Sequence, residues 1–488
     1  MTGAAGAAEN LLIGIDVGTT RVKAVVHTLD GAPLGSAAAA TPWQRDRSGT
    51  ELDAMELARV VREVAGAAAD RGLAALAAAA TANGPGRSGR IAGIGVTGMG
   101  ESGVLTGPDG AVLAPVRAWH DQRGDAARVA RELGEAAFLR TAGMALDDQP
   151  SLSKILGLHV THPQTLAAQR FYSVPEWAVH CLGGEPGSEL SLASRTGLLD
   201  VVTGQPWAAA AELVGAQLLA TPTVAGTAAG LAGGSQVPLV LHGAVLTVAG
   251  HDHQTAALAA GAVRDGVLFD SVGTAEALLR FTAAPITADL VGSLAAQRIT
   301  MGLTVVPGHY CALAGMPMGL GLERISALLG AGTAQQRAEL GQAAVALARL
   351  PETALVEIVG DSVTVRLDDE LTGPQLWARA VHDLVGRLDP LLDRLRDAVG
   401  DEREVIVTGG WLANPAVLAA KRRQFPRLAL SDLAEAGAAG AARLAGQAAG
   451  LLPAQPGTLL EPSPEPPPSA QLATHTPSAT TAMREATR

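Results

Sequence analysis

Three features of the sequence predict an α/β protein with more than one domain. The chain has 488 residues, and at roughly 100–200 residues per domain this length corresponds to two or three domains. Short apolar runs typical of buried strands alternate with stretches of helical spacing, which indicates α/β architecture. Residues of the AVILMFWYC set make up 48% and charged residues 17%. Large cores can therefore form, and global disorder is excluded.

The first predicted elements are a β-hairpin, a helix and a further strand. The apolar run 11–16 leads through a turn into a second strand-like run at 21–26, which is typical of a hairpin that opens a sheet. Apolar residues recur at helical spacing over 51–70. A strand over 91–97 then enters a glycine-rich loop at 98–103. The start of the chain is therefore predicted to form a first α/β unit.

The rest of the chain continues this pattern and ends in a segment of different composition. The predicted elements are mostly helices over 125–220, a strand over 239–248, a helix over 255–262, helices within 319–350 and 374–400, and a strand over 405–408. From residue 452 the composition changes, and eight of the 36 residues in 453–488 are proline. Because such a segment cannot pack a core, 452–488 is predicted to be a disordered tail.

One short pattern occurs twice and suggests two related halves. The strand over 267–270 is followed by a turn and a return strand over 275–279, which repeats the opening order of apolar strand, aspartate, Gly-Thr turn and strand. The match is short, and by itself it is weak evidence. A boundary near residue 255 also divides the ordered chain about evenly, so the expected domains are 1–254 and 255–451.

The composition argues against nucleic acid, membrane and disulfide chemistry. With 36 Lys and Arg against 47 Asp and Glu, the formal charge is -11, and 421–423 is the one short basic run. The longest uncharged stretch, 213–251, is broken by Gly and Pro, unlike a spanning helix. Residues 1–10 lack the positive start of a signal peptide, and two cysteines suit a reducing cytosol. The expectation is a soluble cytoplasmic protein, in which the 58 glycines and the many alanines reflect compositional bias.

Three glycine-bearing turns at strand ends are candidates for phosphate binding. They are Gly18-Thr19-Thr20, Gly273-Thr274 and Gly409-Gly410. Such turns offer backbone N–H groups and small hydroxyls to phosphate oxygens, and glycine lets the backbone approach a ligand closely. Neither a P-loop nor a Rossmann fingerprint is present. Each of these segments by itself is better explained as an ordinary turn. Three of them in one chain make phosphate binding as well supported as that explanation.

Asp252 and Glu101 are the candidate acidic residues. Asp252 follows a strand within Gly250–Gln254 and is suited to act as a general base, although it could also cap the next helix. A metal site made with its neighbours His251 and His253 is disfavoured, because adjacent side chains point apart. Glu101 either binds hydroxyls of a polyol or is solvated, and its spacing slightly favours solvation. Four further interpretations are that Trp119 lies in the core, that Asp121 and Arg123 either face a cleft or pair with each other, and that Asp147-Asp148 and Arg422-Arg423 lie on the surface.

Taken in order, these segments resemble the FGGY carbohydrate kinases of the actin/Hsp70/hexokinase superfamily over residues 11–450. The matching segments are a first phosphate motif at 13–20, a sugar loop at 95–102, a structural signature at 192–200, a catalytic loop at 250–254, a second phosphate motif at 271–274 and an adenosine motif at 408–415. The resemblance implies two ribonuclease-H-like, actin-like ATPase domains that close over a central cleft. The first domain would bind the sugar, and the second would bind ATP with Mg²⁺.

The resemblance also implies a role for each matching residue. Asp252 would be the base, and Asp16 would hold hydrated Mg²⁺. Gly100, Glu101 and His253 would contact the acceptor. The nucleotide and its phosphates would be bound by Gly18, Thr19, Thr20, Lys23, Gly273, Thr274, Gly315, Gly410 and Asn414.

Two departures from the family pattern leave the acceptor open. His253 stands where the family commonly has Asn or Gln, and Gly100-Glu101 replaces the Met-His of xylulose kinases while matching half of the Arg-Glu of glycerol kinases. A small sugar or polyol is expected, with a xylulose-like ketopentose slightly favoured. The alternative is a catalytically inactive or switch-type nucleotide-binding protein of the same superfamily. A homodimer is left open.

Overall fold

The computed structural model describes residues 8–47, 49–81, 88–273, 275–352, 354–359, 362–367 and 369–454. Thr274, predicted to bind phosphate, lies outside the described residues. The same holds for 455–488, nearly all of the segment predicted to be a disordered tail.

The strands are mostly short and buried, as the apolar runs predict. In chain order they are β1 (Glu9–Val17), β2 (Arg21–His27), β3 (Pro33–Ala40), β4 (Gln44–Arg45), β5 (Thr50–Leu52), β6 (Gly89–Gly98), β7 (Gly103–Thr106), β8 (Val116–Arg117), β9 (Arg170–Ser173), β10 (Ser188–Glu189), β11 (Leu199–Asp200), β12 (Gln205–Pro206), β13 (Pro222–Thr223), β14 (Ala228–Leu231), β15 (Val245–His251), β16 (Val267–Val272), β17 (Glu276–Thr282), β18 (Thr300–Leu303), β19 (Tyr310–Met316), β20 (Ala354–Val359), β21 (Ser362–Leu367), β22 (Glu404–Thr408) and β23 (Leu428–Leu430).

The helices lie between these strands. They are α1 (Ala54–Thr81), α2 (Ala126–Leu133), α3 (Glu135–Ala142), α4 (Ser151–Thr161), α5 (Val174–Cys181), α6 (Leu190–Ala193), α7 (Ala208–Val214), α8 (Asp252–Ala259), α9 (Ala288–Ala296), α10 (Met318–Leu328), α11 (Ala334–Val345), α12 (Gly373–Gly386), α13 (Asp389–Val399), α14 (Pro415–Gln424) and α15 (Ala436–Ala448). Across the described part of the chain, none of the helices combines the length and apolar character needed to cross a membrane.

Two of the sequence predictions need correction. The interval 125–220 holds six helices but also several short strands. The strand predicted over 239–248 begins only at Val245, because Gly243 has a φ of +80° and residues 239–241 form a 3-10 turn.

Two six-stranded sheets share one strand pattern, which confirms the expected pair of related α/β domains. In the first sheet the order is β14-β15-β6-β1-β2-β3, and in the second it is β18-β19-β17-β16-β22-β23. In both, a central strand pairs antiparallel with its hairpin partner and parallel with a later strand: β1 with β2 and β6, and β16 with β17 and β22. The repeated aspartate, Asp16 in β1 and Asp270 in β16, therefore stands near the end of the central strand in both sheets.

Helix α15 packs on the first sheet although it follows the second sheet in the sequence. It contacts β1, β6, β15 and α8. Glycines make this approach possible, because a Cβ on Gly14 would collide with Ala438 O and a Cβ on Gly95 would collide with Ala441 O. These two glycines are thus required by packing, so compositional bias alone does not explain them. The domain boundary at 254/255 stays a prediction. Helix α15 follows this boundary in the sequence, yet it packs on the sheet formed by residues before it.

Candidate active site

Asp16 and Asp252 lie at one edge of the first sheet, at the carboxyl ends of β1 and β15, the parallel strands on either side of β6. β1 and β15 both pair in parallel with β6, which places Asp16 beside Thr97 and His251 beside Gly98. The Thr97 hydroxyl donates to Gly250 O over 2.6 Å and ties β6 to the turn before Asp252. Ligands of open α/β sheets bind at this kind of edge. The topology therefore brings together Asp16, predicted to hold Mg²⁺, and Asp252, predicted to be the base.

Asp252 is the first residue of α8, and the preceding turn fixes its position. Gly250 has a φ of +90°, and a Cβ there would collide with the Val305 side chain, so only glycine fits. The Asp252 side chain is 26% exposed, and its Oδ1 accepts the His253 N–H over 2.7 Å. Oδ1 also lies 3.5 Å from His251 Nδ1, and burial lowers the pKa of His251 to about 4. Asp252 thus faces a neutral imidazole at the start of α8, with its carboxylate partly exposed.

The carboxyl group of Asp16 is buried and has an unusual pKa. Burial and, after it, the nearby Asp252 carboxylate raise the pKa of Asp16 to about 7, against the opposing effect of Lys23. Its Oδ1 has no hydrogen-bond partner. A hydrated Mg²⁺ fits here, because its charge would offset both the burial and the repulsion. In the described ranges no group of three or more His, Cys, Asp or Glu could hold a metal ion. Mg²⁺ usually binds one or two carboxylates together with phosphates and water.

The first Gly-Thr turn is held by side chains that occupy its oxygen atoms. Thr19 O accepts from Trp43 Nε1 over 2.7 Å, and Thr19 Oγ1 accepts from Trp119 Nε1 over 2.9 Å. Trp119 is only partly buried, and besides packing on the core it orients this turn. Thr20 is exposed at the tip, and Gly18 N donates to Arg21 O. A rigid turn between β1 and β2 results, with its polar tip open.

Lys23 lies opposite Asp16 on the neighbouring strand. Its Nζ is 2.8 Å from Glu435 Oε2, and both side chains are more than a third exposed. Because such a pair contributes little to stability, Lys23 is free to exchange Glu435 for another anion. The pair joins β2 to Glu435, the residue before α15.

Glu101 is buried, which corrects the interpretation that it is solvated. Its backbone has a φ of +58°, which a non-glycine residue rarely adopts. Its Oε1 accepts from Arg195 Nε over 2.7 Å and also from Arg195 Nη2. Gly100 fits beside this pair, because a Cβ on it would lie 3.0 Å from His251 Cδ2 and 3.1 Å from Arg195 Cγ. The glycine-rich loop therefore connects the Glu101–Arg195 pair to the turn of Asp252.

Other polar residues around this loop are accounted for by pairing. Lys154 is buried and donates to Gln149 O; burial lowers its pKa to about 8, while Glu101 and nearby aspartates act against the shift. Asp121 and Arg123 pair over 2.8 Å, the second of the two alternatives. Burial raises the pKa of Asp121, but hydrogen bonds, chiefly from Arg123, outweigh it and lower the pKa to about 2. His253 is partly buried, with its ring centroid 5.6 Å from that of His251.

The second sheet presents a similar glycine-rich edge. A Cβ on Gly409, whose φ is +121°, would collide with Val272 O, and a Cβ on Gly319 would collide with Gly273 O. Three chain segments therefore converge on the turn at Gly273. Gly315 and Gly410 are exposed there, and a Cβ on Gly410 would meet nothing within 4 Å. This leaves space for a ligand beside them.

Asn414 is buried, and its side chain is occupied by protein groups. Its Oδ1 accepts Ala416 N and caps α14, and its Nδ2 donates to Arg337 O over 2.6 Å. The position of Asn414 at the predicted nucleotide edge is thus structural, since it sets the start of α14 and the chain at Arg337.

Sequence reasoning missed several buried cations, among them Arg195, Lys154 and Lys421. Lys421 is fully buried, with its Nζ 2.9 Å from Asp270 Oδ2 and in contact with Glu276. The next two residues of the same basic run, Arg422 and Arg423, are exposed as predicted. Burial and Asp270 raise the pKa of Glu276 well above its usual value. The partner of Arg195, Glu101, lies 94 positions away in the sequence, and the partner of Lys421, Glu276, lies 145 positions away. No local sequence signal therefore identifies Arg195 or Lys421 as buried.

Comparison with known proteins gives one family match and several structural likenesses. Residues 11–259 match the N-terminal domain of the FGGY family of carbohydrate kinases. Similar solved structures include a xylulose kinase from Rhodospirillum rubrum (21% identity, TM-score 0.74, 90% of this chain and 91% of that chain). Also similar is a gluconate kinase from Lactobacillus acidophilus (17% identity, TM-score 0.75, 91% of this chain and 90% of that chain). A third similar structure is a glycerol kinase from Plasmodium falciparum with ADP (16% identity, TM-score 0.75, 92% of this chain and 91% of that chain).

At these identities the structural likenesses concern the fold, and the three relatives differ in the substrate that their names give. Among curated protein sequences, none matches significantly. The family match covers 11–259, which includes both Asp16 and Asp252.

Proposed function

The chain belongs to the FGGY family of carbohydrate kinases, and we propose that it transfers the γ-phosphoryl group of ATP to a hydroxyl of a small sugar or polyol with Asp252 as the general base. One observation carries this proposal. Asp252 is a partly exposed carboxylate at the same sheet edge as Asp16 and the first Gly-Thr turn. A base, a cation site and a phosphate turn are the parts that phosphoryl transfer to an alcohol needs.

In the proposed reaction, an acceptor hydroxyl oxygen forms a bond to the γ-phosphorus while its proton passes to the Asp252 carboxylate. The bond between the γ-phosphorus and the bridging oxygen of ADP breaks, and ADP leaves with that electron pair. The position of Asp252 at the start of α8 supports this role, because the hydrogen bond from His253 N–H engages Oδ1 and leaves Oδ2 available. The neutral His251 adds no competing positive charge.

The phosphates are assigned to groups at both sheet edges. Gly18, Thr19, Thr20 and Lys23 would bind them from the first domain, and Gly273 and Thr274 from the second. Asp16 would hold Mg²⁺, which supplies charge neutralisation when bound. Gly315 and Gly410 leave space for the nucleoside, and Asn414 shapes this region through α14. We keep 1–254 as the sugar-binding and 255–451 as the nucleotide-binding domain.

The acceptor is assigned to the loop of Gly100 and Glu101 together with His253. We propose a neutral sugar or polyol and slightly favour a xylulose-like ketopentose. The proximity of Gly100 to the His251 ring supports this assignment, because it connects the loop to the turn that carries Asp252. A cytoplasmic location and a homodimer stay predictions from the sequence.

Acceptor-stimulated ADP release tests the proposal. The protein with Mg²⁺ and ATP is assayed over a panel of pentoses, ketopentoses, hexonates and polyols, and the phosphorylated product is identified by mass spectrometry. We expect at least one acceptor to raise ADP release well above the rate with no acceptor. Equal rates with and without every acceptor would contradict the proposal.

A further inference from the structure

The second sheet carries a buried ionic cluster beside the edge proposed to bind nucleotide. Its members are Lys421 of α14, Asp270 of β16 and Glu276 of β17. We propose that Lys421 is a positioning residue that holds the turn at Gly273 in place relative to the start of α14, so that one nucleotide contacts both. This inference rests on the proposed function and deepens it, because it assigns to the cluster control of nucleotide affinity.

The two carboxyl groups of the cluster flank the turn. Asp270 precedes Gly273 in β16, and Glu276 follows Gly273 as the first residue of β17. Across the hairpin, Glu276 pairs with Val272, and Asp270 pairs with Leu278. Paired residues of antiparallel strands share a face, as do alternate residues of one strand, so both carboxyl groups project from the same face of the sheet. That face packs on α14, since the hairpin and the helix contribute to one hydrophobic core.

Lys421 contacts both carboxyl groups from the helix. Its Nζ lies 2.9 Å from Asp270 Oδ2, donates to Glu276 Oε1, and donates to Gln424 Oε1 over 3.0 Å. The side chains of both ion pairs are fully buried. Burial opposes the charged form of Lys421, but Asp270 and Glu276 outweigh it and raise the pKa of Lys421. The lysine is therefore charged, and it holds the two strands of the hairpin at once.

The elements joined by Lys421 all reach the edge proposed to bind nucleotide. At the turn, a Cβ on Gly319 would collide with Gly273 O, so α10 packs directly against it. Helix α14 begins after Asn414, whose Oδ1 caps the helix and whose Nδ2 donates to Arg337 O. Lys421 lies on the buried face of the same helix. A shift of α14 relative to the turn is thus opposed by Asn414 at one end and by Lys421 near the other.

Stability alone does not account for a buried ionic cluster. Two carboxyl groups and an ammonium group carry a large desolvation cost, and apolar side chains of similar volume often stabilise a core equally well or better. A hydrogen-bonded ionic cluster, by contrast, specifies one arrangement of the elements that it joins. Backbone N–H groups bind phosphate through their placement, and a displacement of about 1 Å can lower a rate about 100-fold. The cluster therefore suits the task of keeping the turn in position.

Two ligands of different reach test this inference. Lys421→Met removes the contact with both strands, and Kd is measured by calorimetry for ADP with Mg²⁺, which would contact the turn and the nucleoside region, and for adenosine, which lacks phosphates. Kd for ADP should rise at least about tenfold, because the turn is displaced, while Kd for adenosine should stay near the wild-type value. A general loss of structure would weaken both ligands alike. An unchanged Kd for ADP, or an equal loss for both ligands, overturns the inference.

Arg280→Met is the matched control. Arg280 is a buried cation of the same strand, β17, and its Nη1 lies 3.7 Å from Glu402 Oε2. It pairs with Leu268 near the start of β16, away from the turn, so its loss should cost stability without moving the turn. Both Kd values should stay at those of the wild type. A rise in Kd for ADP as large as in Lys421→Met would show that the loss of any buried cation from this sheet has the same effect, and the inference would fail.

Two substitutions at Glu276 keep the test decisive if Lys421→Met does not fold. Glu276→Leu removes one of the two contacts and leaves Lys421 balanced by Asp270, so it should weaken the binding of ADP and spare that of adenosine. Glu276→Gln, whose amide oxygen can still accept from Lys421, should lose less affinity for ADP than Glu276→Leu. Equal losses in these two variants would contradict a role for the contact with Lys421.

The binding measurements also separate this inference from the proposed function, because they need no phosphoryl transfer. If the affinity for ADP depends on Lys421 but no acceptor is phosphorylated, the inference stands and the proposed function fails. If an acceptor is phosphorylated and the affinity for ADP is the same in wild type and Lys421→Met, the proposed function stands and the inference fails. A wild-type protein that does not bind ADP would overturn both.

Discussion

Replacing Asp252 by Asn removes the proposed base while it preserves the local structure. Asn Oδ1 can accept the same His253 N–H bond that Asp252 Oδ1 accepts over 2.7 Å, so the start of α8 should be unchanged. A positioned general base contributes about 10²–10⁴-fold to the rate, which corresponds to about 2.7–5.4 kcal/mol in the activation barrier. We therefore expect kcat to fall by about that factor.

The same substitution should not weaken nucleotide binding. The Asp252 carboxylate contributes to raising the pKa of Asp16 to about 7. Without that negative charge the pKa of Asp16 falls, and more of Asp16 is ionised at neutral pH. KM for ATP should therefore stay level or decrease, and the residual activity should reach its plateau at a lower pH than in the wild type.

Acceptor-stimulated ADP release at saturating ATP, measured from pH 5.5 to 8.5, reads both effects. Asp53→Asn is the matched control, because Asp53 also accepts N–H groups at the start of a helix, α1, yet it is exposed and has no proposed role in the reaction. It should keep wild-type rates. An Asp252→Asn enzyme with kcat within tenfold of wild type would refute the assignment of the base.

Four further substitutions test the charges and turns of the two edges. Between pH 4 and 7 folded Asp16 holds a proton that the unfolded chain releases, so the free energy of unfolding falls as pH rises. Asp16→Asn should remove that fall and raise the free energy of unfolding by about 2–4 kcal/mol at pH 8, measured by urea unfolding. The substitution should also reduce activity. Lys421→Met should lower the free energy of unfolding by about 3–5 kcal/mol at pH 7, because two buried carboxylates lose their cation. The loss should be smaller at pH 5.5, where one of these carboxylates can take a proton. Equal losses at both pH values would contradict this prediction. Gly409→Ala should lower the melting temperature by several degrees, whereas Gly410→Ala, with open space for its Cβ, should change it little.

The sequence predicted the parts of this protein that depend on local pattern. Asp16 and Asp252 each follow an apolar run, and parallel pairing with β6 brings the ends of such strands to one edge. The doubled Asp and Gly-Thr turn predicted two related halves, and both sheets have the same pairing. In these cases a short segment and the general rules of α/β sheets were sufficient.

The sequence did not predict features that depend on distant partners. Glu101 resembled a solvated loop residue because Arg195, which buries it, is 94 positions away. Lys421 looked like the start of a surface basic run, yet its partner Glu276 is 145 positions away. Gly14 and Gly95 looked like compositional bias because nothing near them in sequence reveals that α15 packs there. Such contacts are set by tertiary packing.

The charges at the edge of the first sheet support the proposal that a cation accompanies the nucleotide. Asp252, Lys23 and Glu435 all lie close enough to Asp16 to affect its pKa, so three carboxyl groups share this edge with one lysine. An anionic triphosphate approaching it would meet net repulsion. The raised pKa of Asp16 shows that the edge already favours the uncharged form of one carboxyl group. A bound divalent cation would favour ionised Asp16, and Lys23 could then exchange its partly exposed Glu435 partner for a phosphate oxygen. This balance of charge supports the proposed assignment of Asp16 to hydrated Mg²⁺ and of Lys23 to phosphate.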